Sequence, residues 1–397
     1  MTSELSNIAA RVREFISSCI PEAANNFSLP AADGSIIKAG HAEKAHAGEE
    51  ASFQSLALEL FALQFTHNAA YRRICEARSI APAAVMHWSQ IPAVPTAAFK
   101  ELELSCLPAT ERTAVFHSSG TTAQRPSRHF HSAESLAVYE ASLWPWFVRH
   151  AMADFKSQNV DFNLAILTPP PRQAPHSSLA YMFAVVRRRL NTPATVFLGA
   201  TANDGTWSVD GESVARTLRR ASEAARPLVL LGTAFAFVHL LDYLAQSEMR
   251  FRLPVCSRVL ETGGYKGRSR ALPKRELHAL MTQRLGVPAS HIVCEYGMSE
   301  LSSQAYDGSC GDDSRIAHPA SRVFHFPPWV RIQIISPETG REVGEGETGL
   351  LRVFDLANVF SVMAIQTEDL GVRHGDGFEL IGRAELAEPR GCSLLTA

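Results

Sequence analysis

Between His117 and Thr122 the chain reads HSSGTT, placing the hydroxyls of Ser118, Ser119, Thr121 and Thr122 around Gly120, directly after the apolar run TAVF (113–116). Small donors and backbone N–H groups in a glycine-relieved loop can do two things. They can turn the chain, or they can donate several short bonds at once to the oxygens of an anion such as phosphate. The spacing is not that of the GxxxxGK[ST] nucleotide loop, because only Gly120 stands in the required zone. Taken by itself, the loop leaves both readings open. Four further stretches carry chemistry-bearing residues: ETGGYKGRSR (261–270), EYGMSE (295–300), QTEDLG (366–371) and FELIGR (378–383). Near the end, RGCSL carries Cys392. None of the 15 histidines has a second ligand at a helical interval, and the seven cysteines are widely spaced with no CxxC pair. Neither a zinc site nor a disulfide framework is expected.

These stretches need elements to position them. Apolar spacing predicts a helix over residues 1–20 and another over 52–77, with an irregular segment over 25–50 between them. IPAVPTAAF (91–99) contains two prolines and favours an extended connector. Beyond residue 112, short apolar runs alternate with amphipathic stretches. The runs are TAVF, LAILTPPP (164–171), ATVFLG (194–199), PLVLLGT (227–233), SRVLETGG (257–264) and HIVCEYG (291–297). Helices are predicted at 132–150, 177–190, 211–225, 235–248 and 270–285. Apolar runs without alternation, separated by helices, predict a mainly parallel sheet buried on both faces. Ligands in such folds sit at the carboxyl ends of the strands, where the Gly- and Ser-rich stretches fall. After about 325, WVRIQIISP, ETGLLRVFDL, VMAIQTEDLGV and FELIGR predict a β-rich antiparallel or barrel-like unit.

Composition excludes some classes. Lys plus Arg total 38 against 40 Asp plus Glu, for a formal net charge of −2. Sequence-independent nucleic-acid binding and anionic-membrane binding both need a basic surplus, so neither is expected. The N-terminal stretch MTSELSNIAARVREFISSC is charged throughout, and no uncharged run reaches the ~18 residues of a membrane helix. With unpaired cysteines besides, the chain reads as cytoplasmic.

HSSGTT, EYGMSE, QTEDLG and FELIGRAE, in this order and at these separations, resemble the adenylate-forming superfamily of acyl-CoA synthetases and nonribosomal adenylation domains, over about residues 113–392. Within that superfamily, FHSSGTT, LTPPPRQAPHSSLAYMF (167–183), ETGGYKGRSR, EYGMSELSSQAYD (295–307) and RGCSL (390–394), with IPAVPTAAFK (91–100) upstream, are similar to the acyl-protein synthetase family of bacterial luminescence systems. That family is the fatty-acid-activating component of an acyl reductase complex. The resemblance implies an α/β fold of the adenylate-forming large-domain type: mostly parallel sheets with flanking helices, plus a β-rich subdomain, lacking the usual small C-terminal domain. The expected division is a helical N-terminal region (1–110), a nucleotide- and acyl-binding core (111–325), the β-rich subdomain (326–386) and a mobile tail (387–397) carrying Cys392.

Roles follow from the resemblance. Ser118, Ser119, Gly120, Thr121 and Thr122 would hold the β- and γ-phosphates of ATP. Ala123 and Arg128 depart from the Gly and Lys common there. Tyr296 would stack on adenine beside Gly297, Ser299 would contact phosphate, and Glu300 would bind Mg²⁺. Asp369 would bind the ribose hydroxyls, and Arg383 would meet ribose or phosphate. Gly263 and Gly264 would let backbone approach the nucleotide and acyl pockets. Relatives in the superfamily carry a catalytic lysine in a further domain. The chain stops at Ala397, so that domain is expected to be missing, and Lys266, Arg128 and His117 become candidates for the transition-state cation. Cys392 lies nine residues beyond Arg383. At ~3.3–3.6 Å per residue such a tether spans roughly 30 Å, enough to collect an acyl group as a thioester and carry it to a partner. Arg390 would favour the thiolate. The other six cysteines are expected in the core. His129 and His131 would face the nucleotide or stand on the surface at a helix start. His176 would shape the acyl site or bond to backbone.

The function expected is ATP-dependent activation of a carboxylic, fatty acid to an acyl-adenylate. Transfer to Cys392 would then serve a partner such as an acyl reductase. Two other readings stand beside it: an acyl/aryl-CoA or carrier-protein ligase with Cys392 idle, and a non-catalytic nucleotide-binding scaffold.

Overall fold

The computed structural model describes residues 3–20, 42–118 (side chains from Gly48), 125–152, 155, 161–192, 194–203, 205–264, 270, 272–311 and 322–384. Helix α1 (Ser3–Ser18) buries the stripe Leu5, Ile8, Val12, Phe15 and Ile16. Helix α2 (Ala42–His67) begins well before the predicted residue 52, inside the stretch read as irregular, whose polar composition hides it. It is separated from α3 (Ala69–Ala77) by Asn68, whose side chain accepts from the Tyr71 N–H and so caps α3. The proline-rich connector forms β1 (Val94–Pro95) and then a single turn of helix, α4 (Ala98–Glu101).

The run TAVF forms β2 (Ala114–His117), and it does not join the parallel sheet. It pairs antiparallel with β3 (Arg128–His131), so the next described element after His117 is a strand rather than a helix. RHFH gave no apolar warning of a strand. His129 and His131 face inward, while Phe130 lies outside beneath the guanidinium of Arg112, 4.3 Å from its ring centre. Helix α5 (Ala133–Ala151) follows, opened by a reciprocal Ser132–Ser135 capping box.

The main sheet is then built by crossovers: β4 (Asn163–Ile166), α6 (Ser178–Leu190), β5 (Thr195–Phe197), a small hairpin of β6 (Gly199–Thr201) and β7 (Trp207–Val209), α7 (Gly211–Glu223), β8 (Leu228–Thr233), α8 (Ala234–Gln246), β9 (Arg258–Thr262), α9 (Lys274–Leu285), β10 (Ile292–Tyr296) and β11 (Ala305–Tyr306). Its order is β11-β10-β9-β8-β4-β5, all pairs parallel except the β10–β11 edge. The helices start on side-chain caps at Ser177, Asp210 and Thr233. All six residues of β8 are buried. Leu228 and Leu230 belong to one apolar cluster, while Val229 and Leu231 belong to the other. Alternate side chains therefore feed two separate cores, which is why the strand is apolar without alternation.

The second sheet is antiparallel, in the order β12-β16-β15-β14-β13: β12 (Val323–Phe324), β13 (Val330–Ile335), β14 (Thr348–Asp355), β15 (Ala364–His374) and β16 (Gly377–Arg383). A segment that precedes the parallel sheet in sequence contributes to it, since β1 pairs parallel with β15 through Val94–Ile365 and Pro95–Gln366. Of the six cysteines described, Cys75, Cys106, Cys294 and Cys310 are buried, and Cys19 and Cys256 half-buried; none is disulfide-bonded.

The two-sided burial of β8 is testable. Leu230→Ala and Leu231→Ala should each cost about 2–5 kcal/mol in urea unfolding. A strand covered on one face only would show the loss in just one of them.

Candidate active site

Strands β9 and β10 run parallel and end level, with Thr262 opposite Glu295. The segments that leave them, Gly263–Gly264 and Tyr296–Glu300, therefore start side by side. Gly263 has φ +70, which favours glycine, and a Cβ on either Gly263 or Gly264 would meet nothing within 4 Å. Among the described residues, nothing stands over this backbone. At Gly297, by contrast, a Cβ would stand 2.3 Å from Glu295 Oε1, so any larger residue there would have to displace the buried Glu295 carboxylate.

Tyr296 is buried, with its ring packed edge-on against Phe324, Phe326 and Phe378. Its hydroxyl donates to Asp369 Oδ2 at 2.8 Å. Burial and the adjacent carboxylate push the phenol well above its ordinary range, so it stays a neutral donor. Asp369 lies in β15 directly opposite Arg383 in β16, and Arg383 Nε donates to its Oδ1 at 3.4 Å. A register shift follows at Leu370/Gly371, and Asp369 N–H is held by Thr367 Oγ1 at 3.1 Å. Cross-strand pairing thus explains why residues fourteen apart in sequence meet. Tyr296, Asp369 and Arg383 form one group.

Ser299 and Glu300 form a second group with the β2–β3 hairpin. Ser299 Oγ donates to Glu300 Oε2 at 3.0 Å and lies 3.5 Å from Ser127 Oγ. His129 Nδ1 is 2.9 Å from the Ser299 carbonyl, so that nitrogen carries the proton. Ser118 Oγ accepts from Ser127 N–H at 3.0 Å and ties the two ends of the hydroxyl-rich loop together. Ser119, Gly120, Thr121 and Thr122 lie outside the described residues, as do Lys266 and Cys392. What the structure fixes is the base of their loop, docked on Ser299.

One expectation needs correction. His129 and His131 are neither surface nor helix-start residues. They lie on β3, buried, with rings 4.2 Å apart, and burial lowers His129 to about 4. His176 bonds to backbone, its Nδ1 3.2 Å from the Val115 carbonyl, and stacks on His117. Arg128 lies 3.8 Å from Glu103. Sequence reasoning also passed over Ser127, which has no distinguishing neighbour, and a buried charged group behind the strand tips. Burial alone would raise the Glu261 carboxyl, but Lys274 and His278 outweigh it and hold it down at about 2. Lys274 donates to both Glu261 and the Gly263 carbonyl. One strand over, burial pushes Glu295 up to about 7 against the pull of a hydrogen bond from Thr262. Among the described residues no three His, Cys, Asp or Glu side chains converge to hold a metal ion unaided.

A profile of the acyl-protein synthetase LuxE matches residues 23–397. The chain belongs to the LuxE acyl-protein synthetase family, a family of ligases. Two relatives carry the name long-chain-fatty-acid–luciferin-component ligase. The one from Aliivibrio fischeri is 23% identical over 354 residues, covering 86% of this chain and 87% of its own. The one from Vibrio harveyi is 20% identical over 339 residues, covering 83% of each. Among solved structures, 2-hydroxyisobutyryl-CoA ligase in complex with 2-HIB-AMP and CoA superposes with a TM-score of 0.62 at 13% identity, covering 85% of this chain and 68% of that one. The fold is that of the adenylate-forming ligases. No helix among the described residues is long and apolar enough to cross a membrane.

Glu295 gives a pH signature. Its folded value is raised from 4.5 to about 7, so its contribution to stability is full below pH 4.5 and is lost as pH rises through 7. Urea unfolding of wild type should therefore weaken by up to about 3 kcal/mol more than that of Glu295→Gln between pH 5 and pH 8. Parallel pH profiles for the two proteins would refute this environment.

Proposed function

We propose that this chain activates a long-chain fatty acid with ATP and then holds the acyl group as a thioester on Cys392. In the first step a carboxylate oxygen of the acid attacks the α-phosphorus. The bond to the bridging oxygen breaks, giving acyl-AMP and pyrophosphate. In the second, the Cys392 thiolate attacks the acyl carbonyl and the carbon–oxygen bond to AMP breaks, releasing AMP and leaving acyl-S-Cys392. The observation that carries this reading is the hairpin docked on Ser299, whose hydroxyl bonds to Glu300, next along the chain to the Tyr296–Asp369–Arg383 group.

In this reading Asp369 accepts from the ribose hydroxyls, and Arg383 lies beside it. Tyr296 orients Asp369 through its hydroxyl and borders adenine with Gly263, Gly264 and Gly297. Ser118, Ser119, Gly120, Thr121 and Thr122 surround the β- and γ-phosphates, with Ser299 donating alongside. A single carboxylate beside hydroxyls suits a hard cation that keeps waters and phosphate oxygens as its other ligands, so Glu300 would hold Mg²⁺. When bound, that ion neutralises charge on the polyphosphate. Lys266 supplies positive charge toward the α-phosphate as pyrophosphate departs. The names of the two fatty-acid ligases support the choice of acid. An acyl reductase is the acceptor we assign, and a reactive thiol of this kind suits a reducing cytoplasm.

Acid-dependent ATP–pyrophosphate exchange across a range of chain lengths tests the first step. Exchange should persist in Cys392→Ser, while hydroxylamine-sensitive labelling by radioactive fatty acid disappears. Label retained in that variant rules out the cysteine as carrier. Asp369→Ala should raise KM for ATP about tenfold or more, the loss of charge-assisted hydrogen bonds to two hydroxyls. Lys266→Ala should abolish exchange without unfolding.

A further inference from the structure

The segment that follows Glu300 has no regular structure, yet Leu301, Ser302, Ser303 and Gln304 are all buried. An irregular segment in that position needs partners for its main-chain and hydroxyl groups. A turn at the end of β14, residues 355–358, supplies them. Ser302 N–H donates to Asp355 Oδ2 at 2.9 Å, and Ser303 Oγ donates to Asp355 Oδ1 at 2.7 Å. Ser302 Oγ donates to Asn358 Oδ1 at 2.6 Å. Asn358 Nδ2 donates to the main-chain carbonyl of Glu300 at 2.9 Å and to that of Val362 at 3.1 Å.

Both Asp355 and Asn358 are fully enclosed, at 0% and 1% exposure. The turn is gripped from its far side as well. Gln64 of α2 donates to the carbonyl of Asn358 at 2.8 Å and accepts from Met363 N–H at 3.0 Å. The Asn358 side chain uses both its amide donors and its acceptor, so it cannot tilt without breaking a buried bond. A break would cost more than the bond itself, because an unpaired buried carbonyl retains its full desolvation penalty.

We infer that Asn358 is a positioning residue that fixes the direction of the Glu300 carboxylate, by holding the Glu300 carbonyl and the Ser302 hydroxyl on a single amide. It acts through the loop and touches no reacting group. The inference rests on the reading of Glu300 as the cation-holding residue.

The test is calorimetric titration of ATP into the full chain, with Mg²⁺ and with EDTA, for wild type, Asn358→Ala and Ser302→Ala. The gain in ATP affinity that Mg²⁺ confers should fall about tenfold in Asn358→Ala and about threefold in Ser302→Ala, in line with losing one or two buried hydrogen bonds. Affinity in EDTA should change less than about twofold, since the other nucleotide contacts stay in place. Ser302→Ala removes a single hydroxyl and leaves the Asn358–Glu300 bond, so the test remains readable if Asn358→Ala fails to fold. An unchanged Mg²⁺-dependent gain in the folded variants, or equal losses with and without Mg²⁺, overturns the positioning role. Absence of ATP binding by wild type overturns the adenylation reading itself. Wild-type binding that is indifferent to Mg²⁺ overturns the role of Glu300, and the inference with it.

Discussion

One phenolic hydrogen bond joins the two sheets of this molecule where its chemistry is expected. Tyr296 ends the parallel sheet and Asp369 belongs to the antiparallel one, and the Tyr296 hydroxyl donates to the carboxylate across the gap. A buried phenol must find an acceptor, and a carboxylate facing an apolar cluster needs a donor. Each satisfies the other. The remaining carboxylate oxygen faces Arg383, which is largely exposed, so the group grades from the aromatic core to solvent.

That bond constrains everything downstream of Tyr296. At Gly297 the Glu295 carboxylate occupies the place a side chain would take. The following residues must pass between the hairpin on one side and the end of β14 on the other. Ser299 answers to the hairpin through Ser127 and His129, and Ser302 answers to Asp355 and Asn358. The six letters EYGMSE are therefore a strand end, a turn and the start of a clamped loop. Any relative displacement of hairpin or sheet would be felt at Glu300.

The parallel sheet was legible because its central strand is buried on both faces and so is apolar; Leu228–Thr233 could be read from its letters alone. The Gly-rich ends of β9 and β10 stood out in the sequence, and the roles expected of the residues there came from the family resemblance. Strand β3 was not legible. Its inward positions are histidines and its outward one is a phenylalanine covered by arginines, the reverse of the alternation that marks a half-buried strand. The start of α2 was missed because AEKAHAGEE shows no apolar stripe. Asn358 gave no signal either: DLAN looks like any polar turn, and its partners lie 56 and 58 residues away. Such residues are defined by what they enclose, which a linear pattern does not encode.

The pairing of Val94 and Pro95 with Ile365 and Gln366 has its own consequence. The strand that carries Asp369 is bordered at its beginning by a segment about 270 residues earlier in the chain, and Gln64 reaches the same neighbourhood. A fragment starting near residue 110 would leave that border with bare amide and carbonyl groups, a template for adhesion between copies. The segment around Val94 and Pro95 is thus part of the antiparallel sheet's architecture, not an ornament that can be trimmed away.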